Sequence, residues 1–305
     1  MMEIGETLMK FGTNLLYEKQ LGYRASLEKA AKAGFQYLDM DLTHEWGCER
    51  KDEEKYFREL LKIATDNGMQ MSQAHAPYIR RITSDPSEFE SEEFRQRVRT
   101  AIRRSAIIGA PYLVAHLYSP YPENYENVPY DYASQKEENI KRNLEFCHSL
   151  KDDLKEYGVS LAIENVVAYD FVNRMHASCV CCTSEECNRY IDELGDEHFC
   201  VCLDAGHLNL VEGETHTQFI KGLGKRIRTL HLHDNFGRLN DWFGELDRHL
   251  PPYLGTLEWD KVAQALKEIG YDGVYSFEVS GYGPTDFAGS NYEYLYKCAK
   301  RIFKD

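Results

Sequence analysis

Apolar and polar positions follow two alternating periods along the chain. Stretches in which apolar residues recur every three or four positions, typical of amphipathic helices, each lead into a short apolar run that ends in a polar residue. A strand at 8–14 precedes these units, and a last helix is predicted at 290–303. The helix and strand pairs are 27–34 with 35–41, 56–68 with 69–75, 94–109 with 112–116, 140–158 with 159–164, 185–195 with 199–204, 217–224 with 227–233, and 259–270 with 274–278.

Alternating strands and helices of this length predict parallel β-α units. Eight strands favour an α/β fold of the closed (β/α)8 barrel type over a doubly wound sheet, and no Gly-x-Gly-x-x-Gly motif follows the first strand. No linker divides the chain, so we expect a single barrel domain over residues 1–305, a length that such barrels reach. Glycines after the helices fit helix C-caps, and Thr183 with Glu186 predicts a capping box.

Four long irregular stretches, 76–90, 119–133, 166–182 and 235–257, all follow predicted strand ends. In a barrel the active site lies on that face, so these loops are expected to form the walls of a substrate pocket. Aromatic residues in them could line the pocket or pack the loops down. They are Tyr118, Tyr121, Tyr125, Tyr130, Tyr169, Phe171, Trp242 and Phe243.

Six of the predicted strands end in residues that bind metals or move protons. Because barrel strands converge on one mouth, these residues are expected to lie close together. Three carboxylates and one imidazole among them suit Mn²⁺, Mg²⁺ or Co²⁺ and admit Zn²⁺, and a cation would relieve the repulsion between the carboxylates. The carboxylates are Glu164, Asp204 and Glu278, the imidazole is His231, and the other strand-end residues are His75, His116, Asn165, His207, His233 and Asp234.

Composition limits the partners. A formal charge of -14 disfavours nucleic acids and anionic membranes, which bind basic surfaces. No run approaches a membrane span, and residues 1–10 lack the apolar core of a signal peptide. We therefore expect a cytoplasmic protein with reduced thiols. The cysteines at 179, 181, 182 and 187 are interpreted as loop and helix thiols, because no second pair follows at zinc-site spacing.

Four short motifs carry a resemblance to a known family. They are Ser160-Leu-Ala-Ile-Glu-Asn165, Leu203-Asp-Ala-Gly-His207, His231-Leu-His-Asp-Asn235, and His249 leading into Gly255-Thr-Leu-Glu-Trp-Asp260. Together they resemble the xylose isomerase-like TIM barrel superfamily, and within it the sugar phosphate isomerase/epimerase group. The resemblance covers nearly the whole chain. Its motifs are specific for the superfamily and do not name a substrate.

The resemblance implies an enzyme that isomerises or epimerises a small sugar or sugar phosphate. By position, Glu164, Asp204, His231 and Glu278 match the ligands of one divalent ion (Mn, Mg, Co or Zn). Glu164 and Glu278 match the acid/base pair that exchanges a sugar proton through a cis-enediolate. The positions implied for substrate binding are His75, His116, His207, His233 and Arg238. His233 lies on the same strand face as His231, so it remains a second candidate ligand. Homo-oligomers are an expectation by analogy only.

Other interpretations of the sequence give different functions. The same superfamily contains endonuclease IV, a nuclease that cleaves DNA at abasic sites and binds up to three zinc ions. Once Asp247 and His249 are added to the strand-end residues named above, this chain has a candidate for every ligand of such a zinc site. Against that reading, Phe11-Gly-Thr-Asn14 replaces the family's Gly-Ser-His, and the arginines between 80 and 104 are interpreted as a solvated helix face. An inosose-type dehydratase and a non-catalytic sugar-binding barrel are further alternatives. The turn 281–283 is a faint candidate for a phosphate site.

Overall fold

The structure is a computed structural model that describes residues 9–15, 21–42, 52–79, 82–238, 247–280 and 291–304. Its strands are β1 (Phe11–Thr13), β2 (Tyr37–Asp41), β3 (Gln70–His75), β4 (Tyr112–Ala115), β5 (Ser160–Glu164), β6 (Val167–Asp170), β7 (Met175–Ser178), β8 (Phe199–Asp204), β9 (Ile227–His231) and β10 (Tyr275–Phe277). Its helices are α1 (Tyr23–Ala33), α2 (Glu53–Asp66), α3 (Ser87–Glu90), α4 (Glu92–Ile108), α5 (Lys136–His148), α6 (Lys151–Tyr157), α7 (Ser184–Leu194), α8 (Ala205–Leu210), α9 (His216–Leu223), α10 (Trp259–Glu268) and α11 (Asn291–Ile302).

Eight of these strands form one parallel barrel, as the sequence predicts. The order is β10-β1-β2-β3-β4-β5-β8-β9, so each strand lies beside its predecessor among the barrel strands. The barrel closes where Leu232, directly after β9, bridges Phe277 of β10. There the amide of Leu232 donates to the Ser276 carbonyl at 2.9 Å, and the amide of Glu278 donates to the Leu232 carbonyl at 3.2 Å. All eight strands therefore end at the same mouth.

The core has two parts because barrel residues alternate between two faces. A large apolar cluster lies between the strands and the surrounding helices, where Leu161 and Ile163 of β5 contribute. A small separate cluster contains Val114, Ala162, Cys200 and Cys202. Ala162 and Cys202 are each two residues before the last residue of their strands and share its face. This cluster thus supports the strand ends, and Cys200 and Cys202 are buried core residues.

Three local predictions differ from the structure. The expected helix at 140–158 is two helices, α5 and α6, separated by a break at 149–150. The stretch 166–182, expected to be irregular, contains the antiparallel hairpin of β6 and β7, in which Tyr169 pairs with His176. Thr183 does cap α7 by accepting the Glu186 amide at 3.2 Å. The Glu186 carboxylate accepts instead from Cys181 and Tyr132, so only half of the capping box forms.

Several predicted features lie outside the described residues. They are the aromatic residues Trp242 and Phe243, the arginines Arg80 and Arg81, and the turn 281–283. Within the described ranges, no helix has the length and apolar character that a membrane crossing requires.

Candidate metal centre and active site

Four strand ends bring three carboxylates and one imidazole together. Glu164 ends β5, Asp204 ends β8, His231 ends β9, and Glu278 directly follows β10. Each offers one ligand atom, and these atoms all lie within 4.8 Å of one another. The Nδ1 atom of His231 lies 3.2 Å from Glu164 Oε1, 3.1 Å from Glu278 Oε2 and 3.9 Å from Asp204 Oδ2. The geometry is that of a converging donor set.

The charges in this group suit a bound cation. Burial alone would raise the pKa of Glu164, yet His231 and His116 hold that pKa well below its usual range. Among the ion pairs of the described residues, only histidines accompany Glu164, Asp204 and Glu278. Burial lowers the pKa of His231, but neighbouring negative groups, Glu278 and Glu164 among them, raise it well above its usual value. This mixed set of oxygen and nitrogen donors fits a divalent ion.

Two further residues hold His231 in place. Its Nε2 atom lies 3.0 Å from Asp39 Oδ2, and the Gln73 side chain donates to the same carboxylate oxygen at 2.8 Å. A carboxylate behind an imidazole fixes the ring orientation and raises the basicity of the other nitrogen. Sequence reasoning missed Asp39 and Gln73. The available signal was that Asp39 alternates with apolar Leu38 and Met40 on a predicted strand, which places it on the inner face.

Asn165 holds Asp204 in position, as Asp39 and Gln73 do for His231. The Asn165 side chain accepts the Asp204 amide at 2.8 Å and donates to the Asp204 carbonyl at 2.9 Å. Asp204 in turn accepts the amide of His207 at 2.7 Å and so caps α8. The strand end and the helix start are therefore locked together, which fixes both Asp204 and His207.

A second group of four donors lies beside the first and contains His207, His233, Asp247 and His249. The Asp247 Oδ2 atom lies 3.3 Å from His207 Nε2 and 3.4 Å from His249 Nε2. The rings of His233 and His249 stack with centroids 3.8 Å apart. His233 Nε2 lies 3.0 Å from Asp204 Oδ2, so this histidine connects the two groups. Burial lowers the pKa of His249, but Asp247 and Glu278 raise it to about 10.

His75 and His116 lie near Glu164 Oε2, whereas His231 lies near Glu164 Oε1. His116 Nε2 lies 3.1 Å and His75 Nε2 lies 3.5 Å from Glu164 Oε2, and the two nitrogens are 3.3 Å apart. Burial lowers the pKa of both rings. For His75, however, Glu164 raises the pKa to about 9, while the pKa of His116 remains lowered. Both histidines therefore lie where the sequence predicts.

Arg238 is the one predicted substrate residue that lies outside these groups. Its guanidinium pairs with Glu212 and contacts the sulfur of Met175, on an exposed surface. The structure therefore gives this side chain a partner away from the three donor groups. The reason is the path of the chain, because Gly237, two residues after Asn235, has a φ of 66° and turns the backbone before Arg238.

A cavity of about 440 Å³ opens beside the donor groups. His116, His207 and Asp247 line it, and so do the predicted pocket residues Tyr118, Tyr121 and Tyr169. The remaining predicted aromatics within the described ranges support this wall: Tyr125 packs on Phe171 with centroids 4.9 Å apart, and Tyr130 packs on Tyr121 at 5.2 Å. The aromatic loops therefore both line the pocket and pack against one another.

Comparisons with known proteins agree with this architecture. A D-psicose 3-epimerase of Enterocloster bolteae is 24% identical over 277 residues, which cover 88% of this chain and 82% of that protein. The crystal structure of a D-psicose 3-epimerase in the presence of D-fructose matches with a TM-score of 0.70 and 20% identity, covering 97% of this chain and 100% of the other. A 3-keto-D-glucoside 4-epimerase from E. coli in its apo form matches with a TM-score of 0.71 and 15% identity, covering 97% and 99%.

At such identities the structural likeness establishes a shared fold and leaves the reaction open. The sequence match to the family model covers most of the chain. The model described as xylose isomerase-like TIM barrel matches residues 27–298. The chain belongs to the xylose isomerase-like TIM barrel family.

Proposed function

We propose that the protein is a divalent-metal-dependent epimerase or isomerase of keto sugars. The observation that carries the proposal is the convergence of Glu164, Asp204, His231 and Glu278 at one end of the barrel. Relatives named as D-psicose 3-epimerases support the substrate class. The metal-binding and catalytic roles of these four residues are part of the proposal.

The residues present fit one divalent ion, for which Mn²⁺, Mg²⁺, Co²⁺ and Zn²⁺ are all candidates. Three carboxylates and one imidazole would hold it, and when bound it would polarise the substrate's carbonyl and acidify the neighbouring C–H bond. Asp39, Gln73 and Asn165 would keep the donors in position.

Proton transfer is assigned to the two glutamates. Glu164 is almost fully buried, and its lowered pKa keeps it ionised, ready to accept a proton from the carbon next to the carbonyl. The Glu278 side chain is 18% exposed, and its Oε2 atom lies 3.1 Å from the same His231 Nδ1 atom that Glu164 approaches. In the proposal, Glu278 exchanges a proton with another face of the sugar. Return on the opposite face gives an epimer. Return to the neighbouring carbon, with a proton moved between the two oxygens, gives an aldose–ketose pair.

The histidines are assigned to binding sugar hydroxyls. The Nδ1 atom of His207 lies 2.8 Å from the Asn165 carbonyl, which accepts its hydrogen and leaves Nε2 directed toward Asp247 and the cavity. The Nδ1 atom of His75 likewise lies 2.8 Å from the Ala76 carbonyl, which leaves Nε2 beside Glu164. Both rings thus present a nitrogen of fixed orientation near the proposed proton-transfer residues.

The test is deuterium exchange from D₂O into D-fructose at the carbon next to the carbonyl, followed by NMR with the metal-loaded protein. We predict exchange by the wild type and a reduction of about 10²–10⁴-fold in the Glu164→Gln variant, because a positioned base contributes that much. Glu156→Gln on the exposed face of α6 is the matched control and should exchange at the wild-type rate. Equal exchange by wild type and Glu164→Gln would remove Glu164 from the mechanism.

A second candidate function has its own supporting observation. The second donor group and the pair of His75 and His116 at Glu164 together supply enough ligands for more than one ion. Up to three zinc ions clustered in this way could assist cleavage of a phosphodiester, as the endonuclease IV reading requires. Nicking of a duplex with an abasic site would favour this function over sugar chemistry. A dehydratase would instead release water from inosose, and a non-catalytic barrel would bind a sugar without exchange.

A further inference from the structure

The cavity beside the donor groups is larger than a simple sugar needs. Its volume is about 440 Å³. A hexose has twelve heavy atoms, and even at about 30 Å³ each, the volume of a water molecule in the liquid, it would fill only about 360 Å³. A covalently bonded sugar is denser than liquid water, so the true excess is larger. The reacting keto unit would lie beside His116 and His207, at the inner end of the cavity. The remaining space therefore lies farther out.

The outer wall of this space is aromatic and held in a fixed position. Tyr169 on β6 pairs with His176 on β7, and their rings meet edge to face with centroids 5.6 Å apart. The hydroxyl of Tyr121 accepts the Tyr169 amide at 2.8 Å, which links the hairpin to the loop after β4. Rings held by packing and hydrogen bonds lose little conformational freedom when a ligand binds. Flat apolar rings of this kind suit the C–H faces of a second sugar ring.

Two polar atoms in the wall lack partners. Tyr118 Oη and His176 Nδ1 are buried, and neither has a hydrogen-bond partner among the described residues. Both residues line the cavity. Buried polar groups are normally hydrogen-bonded, so both side chains have unused hydrogen-bonding capacity beside the cavity. Among the described residues that line the cavity, none is a lysine or an arginine.

From these observations we infer that the site takes a glycosylated keto sugar: the keto unit lies at the donor groups, and a second sugar ring lies against Tyr169 and Tyr121. The inference rests on the proposed function for the chemistry at the donor groups, and on the cavity alone for the second ring. It assigns the β6–β7 hairpin as the element that selects substrates by length.

The test compares three probes by calorimetric titration of the metal-loaded protein. They are D-fructose, D-fructose 6-phosphate, and isomaltulose, in which a glucosyl ring is attached to the terminal hydroxyl of D-fructose. We expect isomaltulose to bind about 10-fold more tightly than D-fructose, because an aromatic platform that stacks a ring is worth roughly that much. Equal binding of isomaltulose and D-fructose, or tighter binding of the phosphate, would overturn the inference.

Variants locate the effect on the hairpin. Tyr169→Ala should remove the preference for isomaltulose, while Tyr169→Phe, which keeps the ring, should retain it. Val172→Ala at the tip of the same hairpin, where the side chain is 41% exposed, is the matched control and should bind both sugars as the wild type does. A preference that persists in Tyr169→Ala would show that this ring does not form the subsite. Circular dichroism establishes that each variant is folded.

Deuterium exchange on the same probes separates the two proposals. Tighter binding of isomaltulose without exchange on any sugar would support the subsite and refute the epimerase chemistry. Exchange on D-fructose without tighter binding of isomaltulose would support the chemistry and refute the subsite.

Discussion

At the scale of single residues, the site depends on side chains that never touch the substrate in our account. Asp39 faces one nitrogen of His231 while the other nitrogen faces the carboxylates of Glu164 and Glu278. A histidine that binds a metal ion commonly donates its other ring N–H group to a carboxylate. The sequence could suggest His231 from its strand-end position, but the partner of its second nitrogen comes from a strand 190 residues earlier and became visible only in the fold.

We predict that Asp39→Asn weakens binding of a divalent ion by about 10–100-fold, because the amide is a poorer partner for the His231 N–H group. Competition against a chelator of known affinity measures the change. Asp66→Asn on the exposed face of α2 is the control, since its only described partner is Lys62 one turn away. Unaltered affinity in Asp39→Asn would mean that Asp39 does not position His231.

A close approach at Gly206 gives a second prediction. A Cβ atom built there would lie 2.0–2.5 Å from three ring atoms of His233, far inside van der Waals contact. Gly206→Ala should therefore displace His233 from Asp204 and lower the free energy of unfolding by about 1–3 kcal/mol. Urea unfolding measures the loss. A matched control is Gly68→Ala, where the new methyl group meets no atom within 4 Å, so that any cost is confined to the backbone. Metal affinity should fall in Gly206→Ala and stay constant in Gly68→Ala.

At the scale of elements, the β6–β7 hairpin is closed by one carboxylate. Asp170 accepts the amides of Val172 and Asn173 at 2.9 Å each, the Asn173 side chain at 2.8 Å, and the Tyr130 amide at 3.2 Å. Burial would raise the pKa of Asp170, but these donors lower it below its usual range. The hairpin thus depends on the ionised form of a single side chain.

The sign of the pH dependence follows from that lowered pKa. A carboxylate whose pKa is lower in the folded state stabilises the fold above its unfolded pKa, and this contribution is lost as the pH falls through the folded value. Asp170→Asn should destabilise the hairpin by about 2 kcal/mol at neutral pH, since hydrogen bonds to a charged group are lost. The difference from wild type should be constant from about pH 7 to 5 and shrink below about pH 4. Hydrogen exchange of the hairpin amides, corrected for intrinsic rates, measures it, and a pH-independent difference would contradict the assignment.

The elements also show what sequence patterns can and cannot predict. The barrel strands were predictable because each is a short apolar run between an amphipathic helix and a polar residue, and their closing order then follows from right-handed β-α connections. The hairpin at 167–178 was missed because its two strands are only four residues long and mostly half-buried, so neither produces a clear apolar run. The break between α5 and α6 was missed because Leu150 continues the apolar period across it.

At the scale of the whole molecule, acidic residues outnumber basic ones, and three carboxylates lie together at one end of the barrel. The chain has 50 acidic and 36 basic residues, and three of the acids meet at the donor group. The position of each donor was predictable one strand at a time, since the fold aims every strand end at the same point. The second donor group was only partly predictable, because His233 joins it through ring stacking on His249, a contact that the sequence does not encode locally. Metal count is therefore the property on which the two proposed functions differ most.

The most direct test of the central claim is the metal content of the purified protein, measured by elemental analysis. Our account predicts about one Mn, Co, Mg or Zn ion per chain, and a large loss of that ion in Asp204→Ala. The matched variant Asp196→Ala, at the loop before β8, should keep it. Two to three zinc ions per chain would contradict a single-metal sugar enzyme and favour the nuclease. No bound ion, even after reconstitution with each metal, would contradict both enzymes.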